Sequence, residues 1–564
     1  MRTAHRFVVS TICFGICAAF WALAQVPNPS RPLSEWLPGG ALFYLESSDF
    51  ASQLRDWNRS DIKAKWLVSK NHEEFMTTRL MLKLKDVYEE FSAAAGFQPD
   101  LRELETVAGT QSAIAVYDIR QLDFVYISRL PAAQLGANVF TRVRSSYETR
   151  AAAGQSYFAR QSGGRTAAFA IAGEYVVAST REDLLSTALE LIQGGTARLP
   201  VSQEPWSQDA LRALPADATG PAYLRLVMDL ASVIKTPYFR SYWIQRNTND
   251  LQTYYAFLTQ VNRKTDAFEE TRVLLRSDEA QAPNHAAATT DLQRFVPDGV
   301  GLFRLWDTPS ANFALRLIRQ KFFDGPVDAT RRNDAPALSF DGFAGAAGDF
   351  QTRIDEPPKP SLAGELILEP LKGLLESAGL EAVLHLESTP ATDDSVFVRS
   401  DAAIALRGAS AWDADAVRAA LTSAVASYQS VANIGLQWRN VAAAGVTVSQ
   451  WNGLLPLTVY VDGQTLWIAR SPRLIGNALE HASSVARPSQ TGGYLARYNH
   501  GTELSPYLRM MRMLDLSNQS NYSSFFSENV GSLALSLNSI ESVSVTVNDS
   551  GLVQRQFLRY ELAR

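Results

Sequence analysis

Two stretches of this 564-residue chain decide its fold: Ala167–Glu190, AAFAIAGEYVVASTREDLLSTALE, and Leu457–Glu480, LTVYVDGQTLWIARSPRLIGNALE. They align without a gap at an offset of 290. Each reads as a strand, a turn at Gly173 or Gly463, a second strand, and a helix carrying Ala188-Leu189-Glu190 or Ala478-Leu479-Glu480. The turns at Ala172-Gly173 and Asp462-Gly463 suit hairpins, and the flanking Val, Ile, Tyr and Trp side chains pack well on a pleated surface.

Outward from this pair, other correspondences keep the same order. Leu37-Pro38-Gly39-Gly40 followed by Leu42-Phe43-Tyr44-Leu45 echoes Val296-Pro297-Asp298-Gly299 followed by Leu302-Phe303-Arg304-Leu305. Thr236-Pro237-Tyr238-Phe239-Arg240 echoes Ser505-Pro506-Tyr507-Leu508-Arg509. Markers repeating in order at near-constant offsets predict a tandem duplication. Adjacent hairpins alternating with helices predict an α+β fold of two related lobes, each a mainly antiparallel sheet packed with helices, rather than a doubly wound parallel sheet. The expected divisions are a first lobe over 25–276, a linker over 277–291 and a second lobe over 292–564. The linker, SDEAQAPNHAAATTD, is polar, small and aperiodic.

In the first lobe the pattern predicts a strand over Ala41–Glu46 and helices between Phe50 and Ala95, where Leu80, Leu84, Val87, Tyr88 and Phe91 share one face. Strands near Ser112–Tyr117 and Asp123–Ser128 and a helix near Asn138–Ala151 precede the repeated hairpin. A strand over Ala222–Val227, a Tyr-rich helical stretch and a strand near Thr271–Leu275 follow it. The second lobe carries an insert over 324–360, rich in Gly, Asp and Pro, which reads as a flexible segment without regular apolar anchors.

The first 24 residues form a signal segment: Arg2 and Arg6, an uncharged run from Phe7 to Leu23, and Ala22 and Ala24 at the positions a signal peptidase accepts. Cleavage between Ala24 and Gln25 is expected, with an uncleaved anchor as the alternative because the run approaches the ~17 residues that cross a bilayer. Subtracting 24 from 564 leaves 540 residues, and both cysteines, Cys13 and Cys17, leave with the signal. Disulfides, thiolate metal sites and cysteine nucleophiles are thereby excluded from the mature chain. No other stretch approaches a membrane span. The expected location is the periplasm or cell envelope.

With 53 Lys+Arg against 58 Asp+Glu, the charge balance argues against nucleic acid as a partner. The mature histidines are His72, His285, His385, His481 and His500, and none has a two-ligand spacing. His385, within the alternating run Val383–Leu386, reads as a strand histidine. Ser60-Asp61-Ile62-Lys63 and Ser232-Val233-Ile234-Lys235 match S-x-x-K, in which one helical turn sets a lysine beside a serine. The accompanying K-T-G strand is lacking: Lys264-Thr265-Asp266 has no glycine and Lys235-Thr236 runs into Pro237. Gly342, Gly345 and Gly348 have neither a preceding strand nor a following helix, so they are not a nucleotide loop. Glu89-Glu90, Glu269-Glu270 and Asp393-Asp394 read as solvated charges rather than a glycosidase pair. No catalytic, cofactor-binding or metal-ligating residue is assigned, and no cofactor is expected.

The most distinctive local feature is a Trp-x-x-Ser element, Trp57 to Ser60, repeated nine residues on as Trp66 to Ser69. Nine positions are two and a half helical turns, so the two tryptophans belong to different packing environments or to two short helices. Taken with the signal segment, the Pro38-Gly39-Gly40 opening, Tyr44-Leu45, Asp49 and the Val107-Ala108-Gly109 to Tyr117-Asp118 strand, this element resembles a family of exported bacterial proteins of unknown function. The resemblance implies an envelope location and carries over no functional residues. The expected function is a non-enzymatic binding or assembly module that takes an unknown envelope protein or ligand. The alternative is an envelope serine hydrolase, with Ser60 and Ser232 as the serines to test, or another hydrolase whose site is not visible in the sequence.

Overall fold

The computed structural model describes residues 31–195, 198–218, 220–236, 251–278, 286–323, 368–389, 401–428, 437–451, 456–485, 492–517 and 524–563. The chain forms two compact units. One takes the described residues of Met1–Ala280, Met511–Ile540 and Ser550–Arg564; the other takes those of Gln281–Met510 and Glu541–Asp549. Both are mixed α+β, with helices packed against antiparallel sheet.

The first unit contains β1 (Phe43–Ser47), β2 (Gln111–Asp118), β3 (Asp123–Arg129), β4 (Glu148–Ala152), β5 (Gln155–Ser162), β6 (Arg165–Ala172), β7 (Tyr175–Ser179), β8 (Leu224–Asp229), β9 (Tyr254–Arg263) and β10 (Ala267–Arg276). Antiparallel pairing runs β4-β5-β6-β7-β3-β2-β1-β8-β9-β10. Alternation along the strands buries both faces. On one, Tyr44, Ile127, Leu185 and Leu189 form a core closed by the helix Glu182–Ile192; on the other, Phe140, Phe158 and Phe169 pack with Ala94 and Ala95 from the end of the helix Arg79–Ala95.

The second unit contains β11 (Leu302–Asp307), β12 (Leu380–Ser388), β13 (Asp401–Gly408), β14 (Trp438–Ala443), β15 (Val446–Trp451), β16 (Leu457–Asp462), β17 (Thr465–Ala469), β18 (Tyr494–Asn499) and most of β19 (Ile540–Asp549). Its order is β14-β15-β16-β17-β13-β12-β11-β18-β19, again antiparallel throughout. Helices Ala311–Ile318, Glu369–Ala378 and Ala414–Tyr428 contribute to the core on one face of this sheet, and Leu292, Leu474 and Ile475 to the core on the other. The last strand, β20 (Val553–Leu562), belongs to the first unit, where it pairs antiparallel with β10 from Ala267↔Glu561 to Leu275↔Val553.

The repeated sequence folds as two-residue hairpins, β6–β7 and β16–β17, each followed by a helix, Glu182–Ile192 or Pro472–Ser484. Gly173 and Gly463 take φ of 61° and 55°, while neither following residue has positive φ, as a type II′ turn requires. Three expectations are corrected. The helix expected over Asn138–Ala151 stops at Val143, and β4 begins at Glu148, because its ETRAA sequence makes an outer strand almost wholly in solvent and leaves no alternation to read. The Tyr-rich stretch expected to be helical opens with the helix Leu230–Lys235 and ends in the strand β9, which takes Tyr254 and Tyr255, while residues 237–250 lie outside the described residues. Within 277–291, the residues from Ala286 are helical, since Ala288 and Leu292 seat in the second unit's core. The insert over 324–360 lies outside the described residues.

Gly109 joins the helix Leu101–Val107 to β2. A Cβ there would stand 1.9 Å from the Arg129 carbonyl oxygen, which is backbone and fixed by its bond from Thr110 N–H. Gly109→Ala is expected to destabilise the first unit by about 1–3 kcal/mol. Gly136→Ala, where a Cβ meets nothing within 4 Å, is expected to be near neutral. Urea denaturation of the two variants checks this.

Candidate interaction surface

Four helices follow β1 in succession: Phe50–Arg59, Asp61–Leu67, Lys70–Met76 and Arg79–Ala95. Each has a side-chain cap. Asp49, Ser60, Ser69 and Thr78 accept hydrogen bonds from the backbone N–H groups of Ser52, Lys63, His72 and Met81. The three hydroxyls also donate backwards, to the carbonyls of Trp57, Trp66 and Phe75. The Trp-x-x-Ser element is therefore a helix-to-helix corner, and Phe75 to Thr78 is its third copy at the same nine-residue spacing. Trp57 and Trp66 do fall in separate short helices. Trp66 packs its ring edge-to-face with His72 at 4.7 Å and donates to Asn71 at 3.0 Å.

These corners also set Ser60 and Lys63. The Ser60 hydroxyl is spent on the cap, and the Lys63 ammonium donates to Asn58 at 2.7 Å, so the pair is arranged for helix termination and not for nucleophile activation. Ser232 lies in the first turn of the helix Leu230–Lys235, whose cap is Asp229, and Lys235 is exposed. Of the paired carboxylates, Glu269 meets Arg559 while Glu270 is buried against Arg272, and Glu89 and Glu90 take Lys85 and Arg165. Ala24, Gln25 and Asp393-Asp394 lie outside the described residues.

The short helices present an apolar surface to solvent. Among the described residues, seven of the fourteen exposed large hydrophobic side chains lie between Leu67 and Tyr88, with Val68 at 86% and Leu82 at 53% exposure. Two more, Phe525 and Leu535, sit on a segment of the same unit held to these helices by Asn71, which donates to Ser532 and Asn529. The face expected from Leu80, Leu84, Val87, Tyr88 and Phe91 is buried only in part: Phe91 packs on Phe124 at 5.7 Å and Val87 is half-buried, but Tyr88 and Leu84, one and two turns earlier, are exposed. Half of the exposed large apolar side chains among the described residues thus fall within 22 consecutive positions.

The described residues hold no group of three metal-ligating side chains. The densest chemical cluster lies in the second unit around His385, which is fully buried on β12 with Arg304 opposite it on β11. Its Nε2 stands 3.5 Å from Glu387 Oε2, which accepts from Lys321 at 2.5 Å. Neither ring nitrogen has a hydrogen-bond partner among the described residues. Burial first, then the Lys321 charge, hold the imidazole down to about 3, outweighing Glu387. It is a neutral ring in the core, as the strand reading expects. In the first unit, burial instead lifts Asp56 to about 6 against the pull of Arg263, Arg55 and Arg59.

The two shifts have opposite consequences. Unfolded, His385 takes a proton below about pH 6.5 that the folded state refuses, so its contribution to stability is intact above that pH and is lost as pH falls towards 3. Asp56, raised when folded, acts against that loss below pH 6. His385→Leu is expected to flatten the acid limb by up to about 1.4 kcal/mol per pH unit, read from urea midpoints between pH 4.5 and 7.5. Equal slopes for both proteins would rule this origin out.

No family model matches the chain, and no curated protein matches it. Among solved structures it is remotely similar to crystal form I of TP0453, at 12% identity and a TM-score of 0.24, over 45% of this chain and 82% of that one. Crystal form IV of TP0453 gives 12% identity and 0.23 over 44% and 81%.

Proposed function

We propose that the protein is an exported, non-enzymatic binding module built by tandem duplication, which docks a partner in the cell envelope through the helical surface of its first unit. The single observation carrying the binding role is the concentration of exposed apolar side chains between Leu67 and Tyr88, on helices whose corners are fixed by capping hydroxyls. A rigid apolar surface costs little ordering entropy on binding. The committed Ser60 hydroxyl argues against one of the two Ser–Lys pairs that a serine-hydrolase reading would use.

Duplication is supported by strand order as well as by sequence. β4-β5-β6-β7-β3-β2-β1-β8-β9 and β14-β15-β16-β17-β13-β12-β11-β18-β19 are the same path, and the β9–β10 and β19–β20 spans repeat at an offset of 286. At that offset Thr271 corresponds to Phe557, and these two face each other across the β10–β20 pair. The signal segment supports export.

A photo-crosslinking side chain placed at Val68 is expected to capture an envelope component, protein or lipid, in living cells. The same group at Ala133, also exposed on the first unit, is expected to capture none. Equal yields at the two positions would defeat the docking role.

A further inference from the structure

Four buried polar atoms at one end of the first unit's sheet have no hydrogen-bond partner among the described residues: Ser47 Oγ, Gln53 Oε1, Asp56 Oδ2 and the Tyr223 hydroxyl. The fold makes them neighbours. Ser47 pairs opposite Leu224, Leu224 opposite Val261, and Arg263, two residues on, opposite Phe268, so Ser47, Arg263 and Phe268 share one face at the same end of β1, β9 and β10. Tyr223 directly precedes β8. Its ring centroid lies 6.3 Å from that of Phe268, over which the Arg263 guanidinium stands at 5.9 Å. The helix Phe50–Arg59 supplies the rest: its fully buried Gln53 donates through Nε2 to the Tyr223 carbonyl, and Asp56 follows one turn later on the same side. The Asp56 carboxylate lies within electrostatic reach of both Arg263 and Tyr223. A buried polar atom without a partner costs about 1–3 kcal/mol, and native proteins keep few of them. Four in one place are not accounted for by packing.

We propose that this end of the sheet binds a saccharide residue, whose hydroxyls pair with Ser47, Gln53, Asp56 and Tyr223 while its apolar face lies against the Tyr223 and Phe268 rings. The surface between Leu67 and Tyr88 takes no part in it. Bonding capacity selects the class of ligand. Gln53 Oε1 and an ionised Asp56 Oδ2 only accept, the Ser47 and Tyr223 hydroxyls donate or accept, and the Arg263 guanidinium only donates. A sugar hydroxyl is donor and acceptor at once, so adjacent hydroxyls match such a mixed set. Charge points to a neutral ligand. Asp56 sits among Arg263, Arg55, Arg59 and Asp49, so the arginines oppose a cation, and the carboxylate beside the unspent atoms opposes an anion. Burial is the largest influence on Asp56 and lifts it to about 6, as it does a carboxylate short of hydrogen-bond donors. Asp56, Tyr223 and Arg263 are each half-buried, so the group reaches solvent and a ligand need not open the core.

The test is saturation-transfer NMR of the full mature chain with glucose, galactose, mannose, N-acetylglucosamine, maltotetraose and chitotetraose, and with glycine as a zwitterionic control. At least one sugar is expected to bind with a Kd below about 10 mM, and glycine not to bind. Preference for a tetrasaccharide identifies a glycan chain as the source and preference for a monosaccharide a free sugar, and either supports the proposal. Asp56→Asn is expected to weaken binding about tenfold or more and Tyr223→Phe severalfold, while Gln161→Ala, exposed on β5, leaves it unchanged. Asp56→Asn and Tyr223→Phe are also expected to unfold at urea midpoints no lower than that of the parent, because the groups they remove have no partner in the free protein. Lowered midpoints in both variants would show that these atoms serve the fold and would overturn the proposal. No binding of any of these sugars, binding of glycine in their place, or sugar binding that both variants retain in full would overturn it as well.

Discussion

One buried carboxylate fixes how the first unit is closed. Glu270 on β10 accepts from Thr259 on β9 at 2.7 Å, from Arg272 on its own strand and from Tyr560 on β20 at 2.8 Å. Burial by itself would raise its pKa, but the Arg272 charge and these hydrogen bonds outweigh it and hold the group below the usual carboxylate range. Because strand side chains alternate, a one-residue slip of β20 would carry Tyr560 to the opposite face and leave Glu270 with Thr259 and Arg272 alone. Losing one hydrogen bond to a buried carboxylate costs about 1.5–3 kcal/mol, which favours the observed register. The consequence is topological. The sheet of the first unit is completed by residues 278 to 294 positions away, and until they arrive β10 is an open edge able to pair with other strands.

The sheet of the first unit has both faces covered without the most N-terminal helices, which are lightly packed. The helix Arg79–Ala95 is anchored at its end, where Ala94 and Ala95 are completely buried, and the helices before it turn at nine-residue intervals around hydroxyl caps. Each cap contributes about 1 kcal/mol and supplies the rigidity that burial does not. The exposed apolar side chains are thereby held in place without being consumed by the core.

Much of this was legible in the residues, for local reasons. Glycine in a two-residue turn between β-branched and aromatic runs specifies a hairpin wherever it occurs, so both copies of the repeated unit read correctly. The α+β class followed from it. The tryptophan corners were visible as a motif, but their meaning lay in hydrogen bonds from Ser60 and Ser69 that spacing alone cannot display. β4 escaped because ETRAA has neither alternation nor apolar content. The pairing of β20 with β10 is non-local, and no periodicity within either strand announces its partner. The exposed apolar stretch was hidden for a different reason. Leu84, Tyr88 and Phe91 follow the same helical spacing whether they meet a core or water, and only the packing of the fold distinguishes the two.

The claim that the helices between Leu67 and Tyr88 are the working surface, carried on a sheet that does not change, is tested most directly by hydrogen–deuterium exchange of the full chain with and without isolated cell envelopes. The account predicts slowed exchange confined to the helices between Asp61 and Tyr88 and the packed segment around Asn529–Leu535, with β9, β10 and β20 unaltered. Protection appearing instead on β4 or in the second unit, with the N-terminal helices unchanged, would contradict it.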